Sequence, residues 1–165
     1  MRYLIVLLMM LTAAARAEEV KPFNAADYPP AVQKALRYAN EECDSQGGGE
    51  VTFAPDTVRK LDVTGDGRDD YIVDFRDTKC GERASTYCGT GGCLLDILVT
   101  RPDGSVRTVF DGYVRSYSIA APAMKRGAAR VIRFDLHGSF CGGFGAQACV
   151  KGKAITATPF EFRKP

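Results

Sequence analysis

A run of nine residues, 62–70, carries the most specific chemical pattern in the chain. Oxygen-bearing side chains fall at its positions 1, 3, 5 and 9: Asp62, Thr64, Asp66 and Asp70. Calcium takes six to eight oxygen ligands, and a glycine at position 6, here Gly67, permits the sharp backbone turn that such a loop needs. The spacing predicts a calcium-binding loop. The alternative is a turn whose aspartates accept hydrogen bonds from backbone N–H groups without a metal.

The run and its flanks, residues 58–75, resemble the calcium loops of FG-GAP and VCBS repeats, whose pattern is Asp-x-Asp/Asn-x-Asp-Gly-x-x-Asp. Apolar segments predicted as strands enter and leave the run, as in that family. An EF-hand would instead have helices on both sides and an acid at position 12, which here is Val73. The match occurs once, so it implies no propeller. The resemblance implies the following calcium ligands: the side chains of Asp62, Thr64, Asp66 and Asp70, and the backbone carbonyl of Arg68.

Two other residues could do chemistry. His137 is the only histidine, and with an acid it could serve a hydrolase, although a hydrogen-bonded structural histidine is the favoured interpretation. Asp96 lies within an apolar segment predicted as a strand. Buried beside an arginine it could mark a site, although a structural acid is again favoured.

Six cysteines lie beyond the apolar N-terminal segment: Cys43, Cys80, Cys88, Cys93, Cys141 and Cys149. An even number of cysteines in an exported chain predicts three disulfides. The sequence contains no Cys-x-x-Cys motif, which argues against zinc binding and against thioredoxin-like redox chemistry.

A weak internal repeat bears on how these cysteines pair. The cysteine spacing of residues 74–88 recurs 61 positions later in residues 135–149, which suggests two weakly related β units. The repeat favours the pairs Cys80–Cys88, Cys141–Cys149 and Cys43–Cys93. The alternative pairs are Cys43–Cys80 and Cys88–Cys93, again with Cys141–Cys149.

The N-terminal residues 1–17 have the features of an export signal. A basic residue, Arg2, precedes an apolar run over 3–11, and Ala-Arg-Ala at 15–17 forms a small-x-small cleavage site. The apolar run is too short to span a bilayer, so no stable membrane anchor is predicted. Cleavage before Glu18 would leave residues 18–165 as a single domain in the periplasm or outside the cell.

The charge of the chain excludes some partners. The formal net charge of +2 comes from two arginines of the signal, and the remainder carries 20 basic and 20 acidic residues. General affinity for nucleic acid or for membrane surfaces therefore has no support. Residues 18–100 are net acidic and 101–165 net basic; either the two halves attract each other or the basic half faces an acidic partner.

The pattern of apolar residues predicts an α+β fold in which an N-terminal helix packs on mostly antiparallel β-sheet. Apolar residues at helical spacing predict a helix over 29–45, capped by Asp27 and ended by the glycines at 47–49. The predicted strands are 57–62, 70–75, 93–100, 106–110, 113–120, 129–136 and 154–162. The turn 101–104 joins two of them in a hairpin. No second long helix separates the strands, which argues against parallel β-α-β topology.

These observations favour an exported, disulfide-bonded, non-catalytic binding module with one calcium-type loop. Its predicted partner is another exported or envelope protein. The alternatives are a small periplasmic hydrolase that uses the lone histidine and a purely structural envelope protein.

Overall fold

The fold begins with one long helix, α1 (Pro30–Ser45), in a computed structural model that describes residues 23–84, 86–120 and 127–165. The predicted signal, residues 1–17, lies outside these ranges. A stripe of α1 side chains is buried: Val32, Leu36, Ala39 and Cys43. The predicted cap at Asp27 is wrong, because that residue belongs to a preceding 3₁₀ turn and Pro29 takes the N-cap position without a side-chain hydrogen bond. The fixed φ of proline suits this first turn.

Short strands make up most of the rest of the described chain. In chain order they are β1 (Val51–Thr52), β2 (Val58–Leu61), β3 (Asp70–Asp74), β4 (Lys79–Cys80), β5 (Arg83–Ala84), β6 (Cys88–Gly89), β7 (Gly92–Thr100), β8 (Val106–Val114), β9 (Ser116–Ile119), β10 (Val131–Leu136) and β11 (Cys149–Ala154). Every strand pair in the described residues is antiparallel. The predicted class, a helix packed on antiparallel sheet, is confirmed.

The strands form three sheets. In the central sheet β2 pairs with β3, and β3 pairs with the long strand β7. Strands β6 and β8 also pair with β7. The C-terminal sheet has the order β11-β10-β9, and a small sheet has the order β1-β4-β5. The hairpin predicted at residues 101–104 joins β7 to β8, where the Gly104 N–H donates to the Arg101 carbonyl at 2.9 Å.

Strand β7 is buried on both faces, and alternate residues belong to two different cores. Leu94 and Leu98 pack with α1 and with side chains of β3. Leu95 and Ile97 face the C-terminal sheet and pack with residues such as Phe134. The near-continuous apolar run of β7 follows from this double burial. Asp96 lies on the helix-facing side, between two leucines.

The predicted strand 154–162 is wrong: the last strand of the described chain is β11, which ends at Ala154. The aromatic residues beyond it pack on the core instead of continuing a strand. Phe160 stacks on Phe110 with ring centroids 5.1 Å apart, and Phe162 lies 5.1 Å from Phe134. The Phe160 N–H donates to the Val109 carbonyl at 2.8 Å. Phe160 and Phe162 therefore pack against the core that contains Phe110 and Phe134 instead of forming a strand.

Three disulfides fasten the chain: Cys43–Cys80, Cys88–Cys93 and Cys141–Cys149. The alternative pairing is confirmed, and the pairs Cys80–Cys88 and Cys43–Cys93 favoured by the internal repeat are wrong. Cys88 and Cys93 are directly opposite each other in the β6–β7 hairpin. Cys43 faces Cys80 because the glycine-rich turn after α1 passes close to the bridge, where a side chain at Gly48 would collide with the Cys80 sulphur.

The two bridges near the helix should contribute unequally to stability. Loss of the Cys43–Cys80 bridge, which spans 37 residues, is expected to lower the free energy of unfolding by about 4 kcal/mol in the loop-entropy model. Loss of Cys88–Cys93, which spans 5 residues, is expected to lower it by about 2 kcal/mol. Urea denaturation of the two double serine variants measures the difference. Equal losses, or a Cys80–Cys88 peptide in a non-reducing digest, would contradict this pairing.

Candidate functional site

The acidic loop of residues 62–70 joins β2 to β3, and the Asp62 carboxylate organises its first turn. One Asp62 oxygen accepts hydrogen bonds from the N–H groups of Gly65 at 2.6 Å and Asp66 at 3.1 Å. The other accepts from the Gly67 N–H at 2.9 Å. Both oxygens therefore point at backbone donors, as in turns where an aspartate satisfies the N–H groups that follow it.

The Asp70 carboxylate is fully buried and ties the loop to the end of β7. Its Oδ2 accepts from the N–H groups of Val63 at 2.9 Å and Thr64 at 3.0 Å, and from the Thr64 hydroxyl at 3.1 Å. Its Oδ1 accepts from the Thr100 N–H at 2.9 Å. Burial raises the pKa of the Asp70 carboxyl, and these hydrogen bonds oppose that shift. Asp70 thus links the start of the loop to the end of β7 through hydrogen bonds.

The third carboxylate of the loop, Asp66, pairs with a cation of the chain itself. It accepts from the Arg68 N–H at 3.0 Å and forms an ion pair with the Arg68 guanidinium. The Thr64 hydroxyl lies between two carboxylates, 3.5 Å from an Asp62 oxygen and 3.1 Å from an Asp70 oxygen. In the described ranges, no group of three or more histidine, cysteine or acidic side chains is placed to hold a metal ion. The arrangement fits a hydrogen-bonded turn, and calcium binding stays a prediction from the sequence.

The same loop fastens the central sheet to the C-terminal sheet. The Arg130 N–H donates to the Val63 carbonyl at 2.8 Å, and the Arg130 Nε donates to the Asp62 carbonyl at 2.9 Å. Gly65 has a φ of 78°, and a side chain there would collide with the Ala128 backbone. A glycine at position 65 is therefore needed for this close packing, whether or not the loop binds a ligand.

His137 caps a 3₁₀ turn (Gly138–Cys141). Its Nδ1 lies 2.8 Å from the Ser139 hydroxyl and accepts from the Ser139 N–H at 3.3 Å. The edge of the ring that carries Nε2 packs on Gly145, where a side chain would collide with it. No hydrogen bond in the described residues links the ring to a carboxylate. This geometry supports the structural interpretation of His137.

A second candidate site is a groove of about 380 Å³ between α1 and the helix-facing side of β7 and β8. Residues of both elements line it: Ala31, Lys34, Ala35, Tyr38, Leu94, Asp96, Thr108, Asp111 and Tyr113. Asp96 and Asp111 are directly opposite each other in the antiparallel ladder. Like charges at such positions repel each other, so the pair needs an explanation beyond packing.

A β-bulge creates this acidic pair. The hairpin ladder matches Leu98 with Thr108 but Ile97 with Phe110, so Val109 is an extra residue on β8. Without the bulge, the register would place Asp96 opposite Phe110. The groove was missed in the sequence because its geometry depends on that single extra residue.

Asp96 is only 8% exposed, and its surroundings disfavour its charge. Burial raises the pKa of Asp96 to about 8, and the facing Asp111 carboxylate adds to the shift by repulsion and by accepting a hydrogen bond from the protonated form. The Asp96 Oδ1 atom is buried and has no hydrogen-bond partner in the described chain. The expected arginine neighbour is wrong: among the residues that line the groove, the group that faces Asp96 is another acid.

The rim of the groove is aromatic. Tyr38 on α1 and Tyr113 on β8 are each 52% exposed. Partial burial raises the pKa of Tyr38, and the neighbouring Glu42, Tyr113, Asp111 and Asp96 raise it further. Tyr38 therefore stays protonated at neutral pH, and both tyrosine side chains are half open to solvent. Lys34 lies at the edge of the same groove.

A smaller hollow of about 260 Å³ lies where the central and C-terminal sheets meet. The Tyr117 hydroxyl accepts a hydrogen bond from Arg59, whose guanidinium lies 5.3 Å from the ring centroid. Burial raises the pKa of Tyr117 to about 12, with a further contribution from the Asp74 charge. Acidic and basic side chains alternate around it, and Arg76 lies 4.0 Å from Asp74. These groups pair with one another, which favours a structural role over ligand binding.

The fold and its bridges define a disulfide-bonded α+β protein, a kind found in oxidising compartments. Comparison of the chain with family models, curated proteins and solved structures found no match. In the described ranges, no helix has both the length and the apolar character needed to cross a membrane.

The pKa of Asp96 predicts a stability that falls with pH. The folded state keeps this proton from about pH 4 to about pH 8 while the unfolded state releases it, so the free energy of unfolding decreases as the pH rises through that window. Asp96→Asn imitates the protonated acid and should be more stable near pH 7 by on the order of 2–4 kcal/mol. Urea denaturation across the window measures both effects. A variant with the same pH dependence as the natural protein would contradict the assignment.

If the acidic loop is only a hydrogen-bonded turn, the melting temperature should be the same in EDTA and in about 1 mM calcium. The variant Thr64→Asp replaces a hydroxyl that lies between two carboxylates by a third acid. It should be destabilised in EDTA and regain stability when calcium is added. Scanning calorimetry checks both proteins. A natural protein whose melting temperature rises by several degrees in calcium, and less in magnesium, would support the calcium loop predicted from the sequence.

Proposed function

We propose that this protein is an exported, non-catalytic binding module that recognises another exported or envelope protein through the groove between α1 and β8. The observation that carries the proposal is the groove itself: two half-exposed tyrosines above a buried acid whose oxygen lacks a partner. Aromatic residues are enriched where proteins bind each other, because they offer a large contact area with little loss of side-chain entropy.

The composition of the groove supports recognition of a polar side chain. Its floor combines the apolar Leu94 with Asp96 and Asp111. A concave surface with a few converging polar groups is typical of a ligand site. Two disulfides restrain elements around the groove, since Cys43–Cys80 ties the end of α1 to β4 and Cys88–Cys93 ties the start of β7 to β6. The site is therefore preorganised, which reduces the entropy lost on binding.

A hydrolase that uses His137 has less support. The ring is engaged in capping its own turn, and its Nδ1 contacts Ser139. Binding explains both the position of the groove and its aromatic rim.

The proposal does not require calcium. The acidic loop joins the two larger sheets through Asp62, Val63 and Arg130, whereas the groove lies on the helix-facing side of the central sheet. A metal-independent role for the loop is compatible with a binding function elsewhere.

Affinity capture from the exported fraction of the source organism, followed by reconstitution with the purified partner, tests the function. The double variant Tyr38→Ala/Tyr113→Ala removes the rim and is expected to weaken binding at least about tenfold, as truncated aromatic hot spots do. The matched control Tyr38→Phe/Tyr113→Phe keeps both rings and should bind within about threefold of the natural protein. Isothermal titration calorimetry gives the constants.

Two results would overturn the proposal. A purified partner that binds the alanine variant as tightly as the natural protein would show that the groove is not the binding site. Failure to capture any stoichiometric partner would show that the protein does not act by binding an exported protein.

A further inference from the structure

We propose that the groove receives the guanidinium group of an arginine side chain of the partner protein, held by Asp96 and Asp111 and covered by Tyr38 and Tyr113. This inference rests on the proposed function and names the chemistry that the groove recognises. Four features of the groove support it: the charge of the floor, a buried carboxyl group short of hydrogen-bond donors, the aromatic rim and the size of the groove.

The floor of the groove attracts a cation. Asp111 is exposed on β8, and Asp96 lies opposite it on β7. The other titratable or charged groups that line the groove are Lys34 and Tyr38 of α1 and Tyr113 of β8. On the far side of Asp96, β3 contributes the apolar Val73. A single lysine at the groove edge therefore faces two carboxyl groups on the floor.

The buried Asp96 lacks a hydrogen-bond donor. Its Oδ1 atom is inaccessible to solvent and has no partner in the described residues, although the side chain lines the groove. Buried acceptors without partners are rare and costly. A ligand in the groove meets the part of the Asp96 carboxyl group that lines it. N–H groups placed there would stabilise a charge on a carboxyl group that the fold leaves short of donors, and a hydrophobic or anionic ligand would not.

The rim favours a flat cation over a compact one. Tyr38 on α1 and Tyr113 on β8 line opposite walls of the groove, and a guanidinium group stacks on aromatic rings more readily than an ammonium group does. The fork of five N–H donors can reach Asp96 and Asp111 at once, whereas one ammonium nitrogen is a point charge. A volume of about 380 Å³ suits a single long side chain.

Binding of the guanidinium group should release a proton from Asp96. With a pKa raised to about 8, the Asp96 carboxyl group of the free protein keeps its proton below that pH and donates it in a hydrogen bond to Asp111. When the guanidinium enters, Asp96 releases that proton to solvent and becomes a second charged acceptor. Arginine stays charged throughout. Below the pKa of Asp96 the affinity should therefore rise with pH, and above it the affinity should level off.

Titration of the mature protein with a short peptide tests this inference without the natural partner. The probe is acetyl-Gly-Arg-Gly-amide, and the matched control carries citrulline, a neutral analogue of arginine with the same length and shape. NMR chemical shifts of the groove residues give the dissociation constants. We expect the arginine peptide to bind at least about tenfold more tightly than the citrulline peptide. Its affinity should rise by up to about tenfold per pH unit between about pH 6 and pH 8.

Two variants separate recognition from folding. Asp96→Asn keeps the shape of the floor and removes the exchangeable proton, so it should bind the arginine peptide at least about tenfold more weakly at about pH 8, with no dependence on pH. Tyr38→Phe/Tyr113→Phe retains the ring faces and should bind like the natural protein. The melting temperature of each variant confirms that it is folded.

Equal affinities for the arginine and citrulline peptides, or an affinity that does not change with pH, would overturn the inference. Binding of an N-acetylglucosamine oligomer in place of the arginine peptide would also overturn it and would indicate a glycan site. If a captured partner depends on the groove while the arginine peptide does not bind, the binding function holds and this inference fails. If the peptide binds as expected but no protein partner is captured, the inference about chemistry holds and the proposed function fails.

Discussion

The double burial of β7 is the constraint on which the rest of the structure depends. One face of this strand packs under α1 and the other packs on the C-terminal sheet, so its side chains serve two cores at once. A carboxyl group at Asp96, between Leu94 and Leu98, is therefore placed where water is largely excluded. Ionisation there is costly unless an opposite charge arrives. The facing Asp111 increases that cost. Under the proposed function, the same placement that destabilises a charge on Asp96 would favour a cation in the groove.

The acidic loop shows how one pattern can serve structure or ligand binding. Aspartates at alternate positions with intervening glycines suit a calcium loop, and they also suit a turn that satisfies its own N–H groups. Here the oxygens of Asp62 and Asp70 accept from backbone donors, and Arg68 pairs with Asp66. Arg130, just before β10, donates hydrogen bonds to the Asp62 and Val63 carbonyl groups of the loop and so fastens the two larger sheets. This joint accounts for the spacing without a metal, and calcium binding stays a prediction from the sequence.

Local patterns in the sequence predicted most of the secondary-structure elements, but they did not predict the long-range geometry. The helix follows from the stripe that includes Val32 and Leu36, and most strands follow from β-branched and aromatic runs between turn residues. The strand predicted at 154–162 failed because Phe160 and Phe162 alternate for core packing and not for pairing. The disulfide pairing had two open solutions, because cysteine spacing carries no information on where α1 meets β4. The groove could not be predicted from the sequence, because one bulged residue, Val109, decides which side chain faces Asp96.

The ionisation of Asp96 is the property that tests this account most directly. Carbon-detected NMR of the Asp96 carboxyl group can follow its titration in the free protein and with the arginine peptide bound. The account predicts a midpoint of about 8 in the free protein and a lower midpoint when the guanidinium group is present. A midpoint near the ordinary value of about 4 in the free protein, or one that the peptide leaves unchanged, would contradict it.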